Sequence, residues 1–158
     1  MNDSEVIYIG FWIRFLAFLI DSTIATIAIS PLVTTLIGAT IVSNYDLQDT
    51  VQMMQFLSDW SLQLSVHLLF MGTIFILFWV MKSSTPGKML FRAYIVDAKT
   101  PGKASPIQSV IHYFGYFVST IPLCLGFFWI AFDKRKQGWH DKLSGTLVIK
   151  GKPREAND

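Results

Sequence analysis

The sequence predicts an all-α membrane protein: a small helical bundle of two spans and a third apolar segment, with a small cytoplasmic two-strand β-ribbon. The chain has 158 residues, of which 52% are hydrophobic and only 15% are charged, and its mean hydropathy is +0.45. Soluble domains of this length carry more charge and shorter apolar runs. Three long apolar segments and two short runs of β-branched and aromatic residues account for the predicted elements. We expect one membrane domain over residues 1–158.

The first apolar segment, about residues 11–42, predicts helix 1. At ~1.5 Å per residue it is longer than a hydrocarbon core of ~30 Å requires, so the helix must tilt, bend or protrude. Pro31 is a candidate kink. The residues before the segment are acidic and lack the positive charges of a secretory signal peptide, so we expect helix 1 to be retained.

The second and third apolar segments differ in continuity. Residues 62–81 form an uninterrupted span. Residues 107–132 are interrupted near Pro122–Gly126. The third segment is therefore either one kinked span or a short helical hairpin whose arms of ~18 Å reach about mid-membrane.

The distribution of Lys and Arg predicts the orientation of the chain. Residues Asn44–Ser61 contain neither residue and should be external, whereas the basic stretch Lys82–Lys103 should be cytoplasmic, which places the N-terminus inside. The basic residues after Phe132 also favour the cytoplasm. A single third span would place them outside, so the charges favour the hairpin.

Two short runs, residues 91–97 and 145–150, read as strands bounded by turn residues. They can pair as a cytoplasmic ribbon only if both lie on the same side of the membrane, which again favours the hairpin. The alternative is two amphipathic stretches that lie separately on the lipid surface.

Helix 1 carries two opposite charges on a face of small residues. At 3.6 residues per turn one stripe contains Arg14, Ala17, Asp21, Ala25 and Ala28. Small residues allow another helix to approach closely, so this stripe should face the protein interior. Asp21 lies about 15 Å into the span at ~1.5 Å per residue, near its centre, where an ionisable side chain is costly and indicates function.

Arg14 and Asp21 should find separate partners, because they lie ~10.5 Å apart along the helix axis and helical side chains lean toward the N-terminus. The best carboxylate partner for Arg14 is Asp141. Asp21 could carry a proton, coordinate a desolvated cation, or hydrogen-bond a neighbouring helix as a neutral acid.

The histidines show no metal-ligand spacing, and with the single Cys124 no metal site is predicted. His67, His112 and His140 are interpreted as polar interface residues, and a proton relay from His112 and His140 to Asp21 is a further hypothesis. No catalytic or cofactor motif is present, so we expect neither an enzyme nor a cofactor. The stretch Thr85–Lys88 lacks the upstream glycine of a phosphate loop and is interpreted as a turn.

Three separated stretches of the chain resemble motifs of the RDD family of bacterial membrane proteins. Gly10–Asp21 is similar to the first helix of that family, and Thr85–Leu90 leading into Tyr94–Asp97 is similar to its middle motif. Phe132–Thr146 resembles its C-terminal signature. The resemblance covers roughly residues 8–150 and keeps the order of the motifs.

The resemblance implies that Arg14, Asp21 and Asp141 are the arginine and the two aspartates for which the family is named. It also implies a multi-pass protein of the bacterial cytoplasmic (inner) membrane, with transport or cation/proton exchange as the suggested activity. In that function Asp21 would bind the ion or proton, and Arg14 and Asp141 would form a gate or a structural charge pair.

Two functions remain open at this point. A small ion or solute transporter would require a homo-oligomer, since so few spans seldom enclose a pathway alone. The alternative is a non-catalytic module for membrane interaction or assembly, in which the same charges are structural. The basic residues are explained by orientation and by anionic lipid at the cytoplasmic face, and no nucleic-acid partner is expected.

Overall fold

A computed structural model describes residues 6–37, 45–100 and 102–153, which are mostly helical with a small antiparallel sheet. The described elements in chain order are α1 Phe11–Ile37, α2 Thr50–Lys82, α3 Pro86–Leu90, β1 Ala93–Asp97, α4 Pro106–Thr120, α5 Leu125–Phe132, α6 Trp139–Ser144 and β2 Thr146–Lys150. The chain divides into two compact units, Met1–Ser22 with Ile74–Asp158, and Thr23–Thr73.

The two long helices, α1 and α2, are long and apolar enough to cross a bilayer. Helix α1 begins at Phe11 as predicted, and residues 38–42 of the predicted helix lie outside the described residues. The prediction that α2 begins near residue 62 is wrong, because the helix already starts at Thr50. Asp49 accepts a hydrogen bond from the Val51 amide (2.9 Å) and so caps a polar first part of the helix that hydropathy does not detect.

The third apolar segment breaks where its interruption predicts. Helices α4 and α5 meet at an angle of 101°, and Leu123 and Cys124 adopt left-handed backbone conformations between them (φ 52° and 63°). The arms are thus bent far more than in a kinked span, yet they are not antiparallel as in a closed hairpin. Helix α4 begins with a capping box in which Ser105 and Gln108 each accept from the other's backbone amide.

Strands β1 and β2 form the predicted antiparallel ribbon, with Ile95 opposite Val148. The alternative of two separate stretches on a lipid surface is therefore wrong. The residues before α1 extend the sheet, since the Ile9 amide donates to the Val148 carbonyl (2.9 Å). Both strands start slightly later than predicted, because Arg92 and Gly145 have left-handed conformations that end the preceding helices (φ 54° and 64°).

Two short helices replace segments that the sequence predicts to be irregular. The predicted turn at Thr85–Lys88 is the start of α3, with Pro86 in its first turn, where a missing amide hydrogen costs nothing. The stretch expected to lead into the second strand is α6, whose first turn is capped by Asp141. Helix α6 packs along α4, and a Cβ at Gly115 would lie 2.8 Å from the His140 Cα, so this contact requires glycine.

The predicted stripe on α1 is buried over most of its length. Arg14, Ala17, Asp21 and Ala25 are all buried, as expected of a face directed to the protein interior. Ala28 is exposed, contrary to the prediction, and Ile29 is buried in its place. A step of four residues advances the stripe by about 40° around the helix, so the buried face drifts past position 28.

Candidate functional site

Arg14 and Asp141 form a buried ion pair between α1 and α6. The Arg14 Nη1 atom lies 2.6 Å from Asp141 Oδ2, and their side chains are 8% and 0% exposed. The guanidinium also donates through Nε to the Ile9 carbonyl (2.9 Å) and through Nη2 to the Lys136 carbonyl (2.5 Å). The predicted contact between Arg14 and Asp141 is confirmed, and it connects α1 to the chain on both sides of Gly138.

The two oxygens of Asp141 have unequal surroundings. Oδ2 accepts from Arg14 and from the Gly138 amide (2.8 Å), whereas Oδ1 has no hydrogen-bond partner among the described residues. Burial alone would raise the pKa of Asp141, but the positive charge of Arg14 and the hydrogen bond from the Gly138 amide hold this pKa well below its usual range. The carboxylate is therefore ionised at any physiological pH.

Asp21 is buried and is held by the segment that begins α3. The Thr85 hydroxyl donates to Asp21 Oδ2 (2.5 Å), and the Gly87 amide donates to Asp21 Oδ1 (2.7 Å). A Cβ at position 87 would lie only 2.3 Å from the Ala17 carbonyl oxygen, so the backbone of α3 can approach α1 only because this residue is glycine. As predicted, the partners of Asp21 lie on another element.

Lys88 is a buried cation in the same region. Its side chain is 7% exposed, its Nζ donates to the Tyr116 hydroxyl (3.3 Å), and it lies 5.3 Å from the centre of the Trp79 ring. It interacts electrostatically with both Asp21 and Asp141. Lys88 thus supplies a buried positive charge that acts on both carboxylates.

His112 and His140 are each oriented by hydroxyl groups. His112 Nδ1 lies 3.0 Å from Thr146 Oγ1 and 3.2 Å from Ser144 Oγ. His140 Nδ1 lies 3.1 Å from Ser119 Oγ. The hydroxyls hold Nδ1 of each ring, so Nε2 of each ring takes no part in these hydrogen bonds.

The two imidazoles converge on Asp141, with ring centres 4.9 Å apart. His112 Nδ1 lies 3.7 Å from Asp141 Oδ1, and His140 Nε2 lies 3.6 Å from Asp141 Oδ2. One possible ligand atom from each of the three residues lies within 4.8 Å of the others. Burial, together with the charges of Arg14 and Lys88, outweighs the opposing effect of Asp141 and lowers the pKa of His140 to about 4, so this ring is neutral.

The structure therefore brings four of the predicted site residues together, namely Arg14, His112, His140 and Asp141. The fifth, Asp21, has its own hydrogen-bond partners in α3 and the residue before it. The two histidines contact Asp141 rather than Asp21, the residue to which a relay was expected. His67 belongs to the other compact unit and is half-buried on α2.

Sequence reasoning missed the residues that hold Asp21 and the convergence of the histidines on Asp141. For Asp21 the sequence held one signal, since the Thr85–Lys88 stretch belongs to the middle motif of the family resemblance. The stretch was interpreted as a turn, so its contact with Asp21 was not predicted. For the histidines there was none, because their spacing along the chain does not reveal that α6 packs on α4.

Comparisons with known proteins place the chain in a sequence family. The sequence model of the RDD family matches residues 8–145, a range that contains every residue of the site except Thr146. An uncharacterized protein of Rickettsia prowazekii is 37% identical over 86 residues, which are 54% of this chain and 47% of that protein, so the chain spans about half the length of this relative. The uncharacterized protein YxaI of Bacillus subtilis is 27% identical over 149 residues, 89% of this chain and 95% of that protein. No solved structure matches this one.

Proposed function

Because this chain belongs to the RDD family, we propose that it is a multi-pass protein of the bacterial cytoplasmic membrane that exchanges cations for protons at Asp21. Helices α1 and α2 are the spans, and the bent pair α4–α5 enters the membrane from the cytoplasmic side and returns to it. Since so few spans do not enclose a pathway, the transporting unit is a homo-oligomer. Anionic lipid contacts its basic cytoplasmic residues.

The ribbon supports this orientation. Strand β1 precedes the bent pair and β2 follows it, yet the two strands are hydrogen-bonded to each other. Both strands must then lie on one side of the membrane, and the basic residues near them favour the cytoplasm.

Cysteine accessibility tests the orientation. In a Cys124→Ser background, single cysteines at Gln137 and Lys150 should react with a membrane-impermeant thiol reagent only after the inner face is exposed. A cysteine at Asp46, in the stretch expected outside, is the matched control and should react in intact cells. Labelling at position 150 from outside would contradict the return of α4–α5.

The observation that carries the transport proposal is the set of neutral donors around Asp21. Its two contacts come from a hydroxyl and an amide, and no ion pair joins it to a cation within the described part of the chain. Ser83 and Ser84 next to Thr85 are fully buried, and Ser83 Oγ has no described partner. A carboxylate held by one hydroxyl and one amide offers oxygen ligands of the kind that hard cations prefer, and in this proposal it accepts a proton instead when no cation is bound.

Arg14 and Asp141 have a different part in this proposal. Their ion pair lies at the end of α1 that precedes Asp21, where it connects α1 to α6. The pair closes the cytoplasmic end of the site, and Lys88 balances the charge of Asp21 when no cation is bound.

Ion flux in proteoliposomes tests the proposal. Asp21→Asn should abolish cation-dependent proton movement while the protein still inserts and elutes as the same assembly, because the amide cannot exchange a proton for a cation. Asp97→Asn, which changes a carboxylate outside the spans, should keep the wild-type rate. Normal flux in Asp21→Asn would remove the transport proposal.

A second candidate, a module for membrane interaction or assembly, is favoured by the three contacts that the Arg14 guanidinium makes with Asp141 and two carbonyls. A buried guanidinium whose nitrogens all donate hydrogen bonds in this way is typical of a structural role. This function predicts that a partner protein co-purifies with the chain in mild detergent and that Asp21→Asn reduces assembly. A partner-free protein that stays fully assembled after that substitution would contradict it.

A further inference from the structure

We propose that His112, His140 and Asp141 form a binding site for one divalent transition-metal ion. The site is separate from Asp21 and does not depend on ion exchange there. Its three residues come from α4 and α6, and all three are nearly or completely buried. Two imidazoles and one carboxylate form a ligand set that suits metals such as Zn²⁺ and Fe²⁺ and leaves coordination positions open.

The first argument is the orientation of the histidines. In protein metal sites the ligating imidazole usually uses its second ring nitrogen for a hydrogen bond that fixes the tautomer. Here the Nδ1 atoms of both histidines lie within 3.2 Å of hydroxyl oxygens, which belong to Ser119, Ser144 and Thr146. The Nε2 atom of His112 is buried and has no hydrogen-bond partner among the described residues.

The second argument is the unequal use of the Asp141 oxygens. Arg14 and Gly138 donate to Oδ2, which leaves Oδ1 buried and without a described partner. A buried carboxylate oxygen and a buried imidazole nitrogen without partners are both costly. An ion bound by His112 Nε2 and Asp141 Oδ1 removes both costs once the His112 ring, whose Nδ1 lies 3.7 Å from Oδ1 in this structure, presents Nε2 to the ion.

The third argument is distance. One ligand atom from each residue lies within 4.8 Å of the other two. Ligands at ~2.1 Å from one ion in a tetrahedral site lie about 3.4 Å apart, so the ligand atoms must approach one another by up to about 1.4 Å to complete the site.

The surrounding charge sets the class of metal. Arg14 and Lys88 interact electrostatically with the histidines and repel any added cation. Hard ions such as Mg²⁺ and Ca²⁺ depend on negative oxygen ligands, of which this site has one. Zn²⁺, Co²⁺ and Fe²⁺ form strong bonds to neutral imidazole, so the site selects transition metals over alkaline-earth ions.

Metal titration of the full chain tests the proposal. The protein, purified in detergent without a polyhistidine tag, is titrated with Co²⁺ alone and with Zn²⁺ alone, while Co²⁺ absorption and Zn²⁺ heats are recorded. One ion should bind per chain, and Mg²⁺ should not compete. His140→Gln should weaken binding by more than about 100-fold, since even loss of an orienting neighbour costs about 10–100-fold.

Two further variants keep the test decisive. Ser119→Ala retains all three ligands and should weaken binding by about 10–100-fold while far-ultraviolet circular dichroism stays unchanged, so it decides the question if His140→Gln does not fold. His67→Gln is the matched control and should bind as the wild type does. The proposal is overturned if the wild type binds no metal, if Ser119→Ala and His140→Gln both bind normally, or if His67→Gln removes the binding.

Discussion

The two carboxylates of the site, Asp21 on α1 and Asp141 on α6, are both buried but have different partners. Their side chains are 5% and 0% exposed. Asp21 accepts one hydrogen bond from the Gly87 amide, and Asp141 accepts one from the Gly138 amide. The difference lies in the second donor, which is a neutral hydroxyl for Asp21 and the Arg14 guanidinium for Asp141.

This difference separates a structural charge from an exchangeable one. Removing one member of a buried ion pair leaves the other charge without compensation, which is strongly destabilising. When a carboxylate has only neutral hydrogen-bond donors, removing its charge leaves no uncompensated charge on a contacting residue. We therefore expect Asp141 to dominate stability and Asp21 to dominate function, and each prediction below tests that division.

The largest expected effect is that of Asp141→Asn, which leaves Arg14 buried without its carboxylate. It should lower the free energy of unfolding by about 3–5 kcal/mol, measured by thermal or denaturant unfolding in detergent. Asp21→Asn is the matched comparison and should cost clearly less. Equal losses in the two variants would show that the second donor does not separate the two carboxylates.

Gly87→Ala should have the next largest effect, because its Cβ would lie 2.3 Å from the Ala17 carbonyl and 2.9 Å from Asp21 Cγ. Overpacking of this kind costs about 1–3 kcal/mol and should displace α3 from Asp21 while the Arg14–Asp141 pair persists. Gly10→Ala is the control, since nothing lies within 4 Å of a Cβ at that position. A Gly87→Ala protein with wild-type unfolding would contradict the close approach of α3 to α1.

Thr85→Val should cost less, about 1–2 kcal/mol, because it removes one donor to Asp21 and keeps the shape of the side chain. Thr85→Ser retains the hydroxyl and should recover most of that loss. If Thr85→Val unfolds like the wild type while Thr85→Ser is destabilised, the methyl group rather than the hydrogen bond is the important feature of this residue.

The sequence predicted the features that depend on periodicity and hydropathy. The apolar helices, the start of α1 and the burial of Asp21 follow from apolar runs and from a stripe of period 3.6. The contact between Arg14 and Asp141 was also predictable, since an arginine near the cytoplasmic end of an apolar helix favours a carboxylate partner on the same side of the membrane.

The remaining parts depend on contacts between distant segments. The donors to Asp21 lie more than sixty residues away, and one of them is a backbone amide that no residue type reveals. Helices α3 and α6 have five and six residues, too short to produce a periodic pattern. The convergence of His112 and His140 arises only when α6 packs on α4. The orientation in the membrane, the oligomeric state and transport itself stay predictions.

The smallest expected effect concerns Asp97, a half-buried carboxylate outside the spans whose donors are also neutral. It accepts from the amides of Lys99 (2.8 Å) and Thr100 (2.6 Å) and from the Gln108 side chain (2.6 Å). Slight burial would raise the pKa of Asp97, but these hydrogen bonds lower it below its usual value. A depressed pKa stabilises the fold above the pKa of the unfolded chain, ~3.9, and this contribution disappears as pH falls through the folded-state value.

Asp97→Asn should therefore cost under about 1 kcal/mol at neutral pH, since solvent screens this half-buried position. The difference from the wild type should shrink as pH falls below the pKa of the unfolded chain, ~3.9, and through the lower folded-state pKa, because the wild-type carboxylate then becomes protonated. Unfolding measured in detergent across this range tests the prediction, and a difference that does not change with pH would contradict it. Asp141, whose pKa the Arg14 charge depresses further, should keep its contribution over the same range, so acid should remove the effect at position 97 before the effect at position 141.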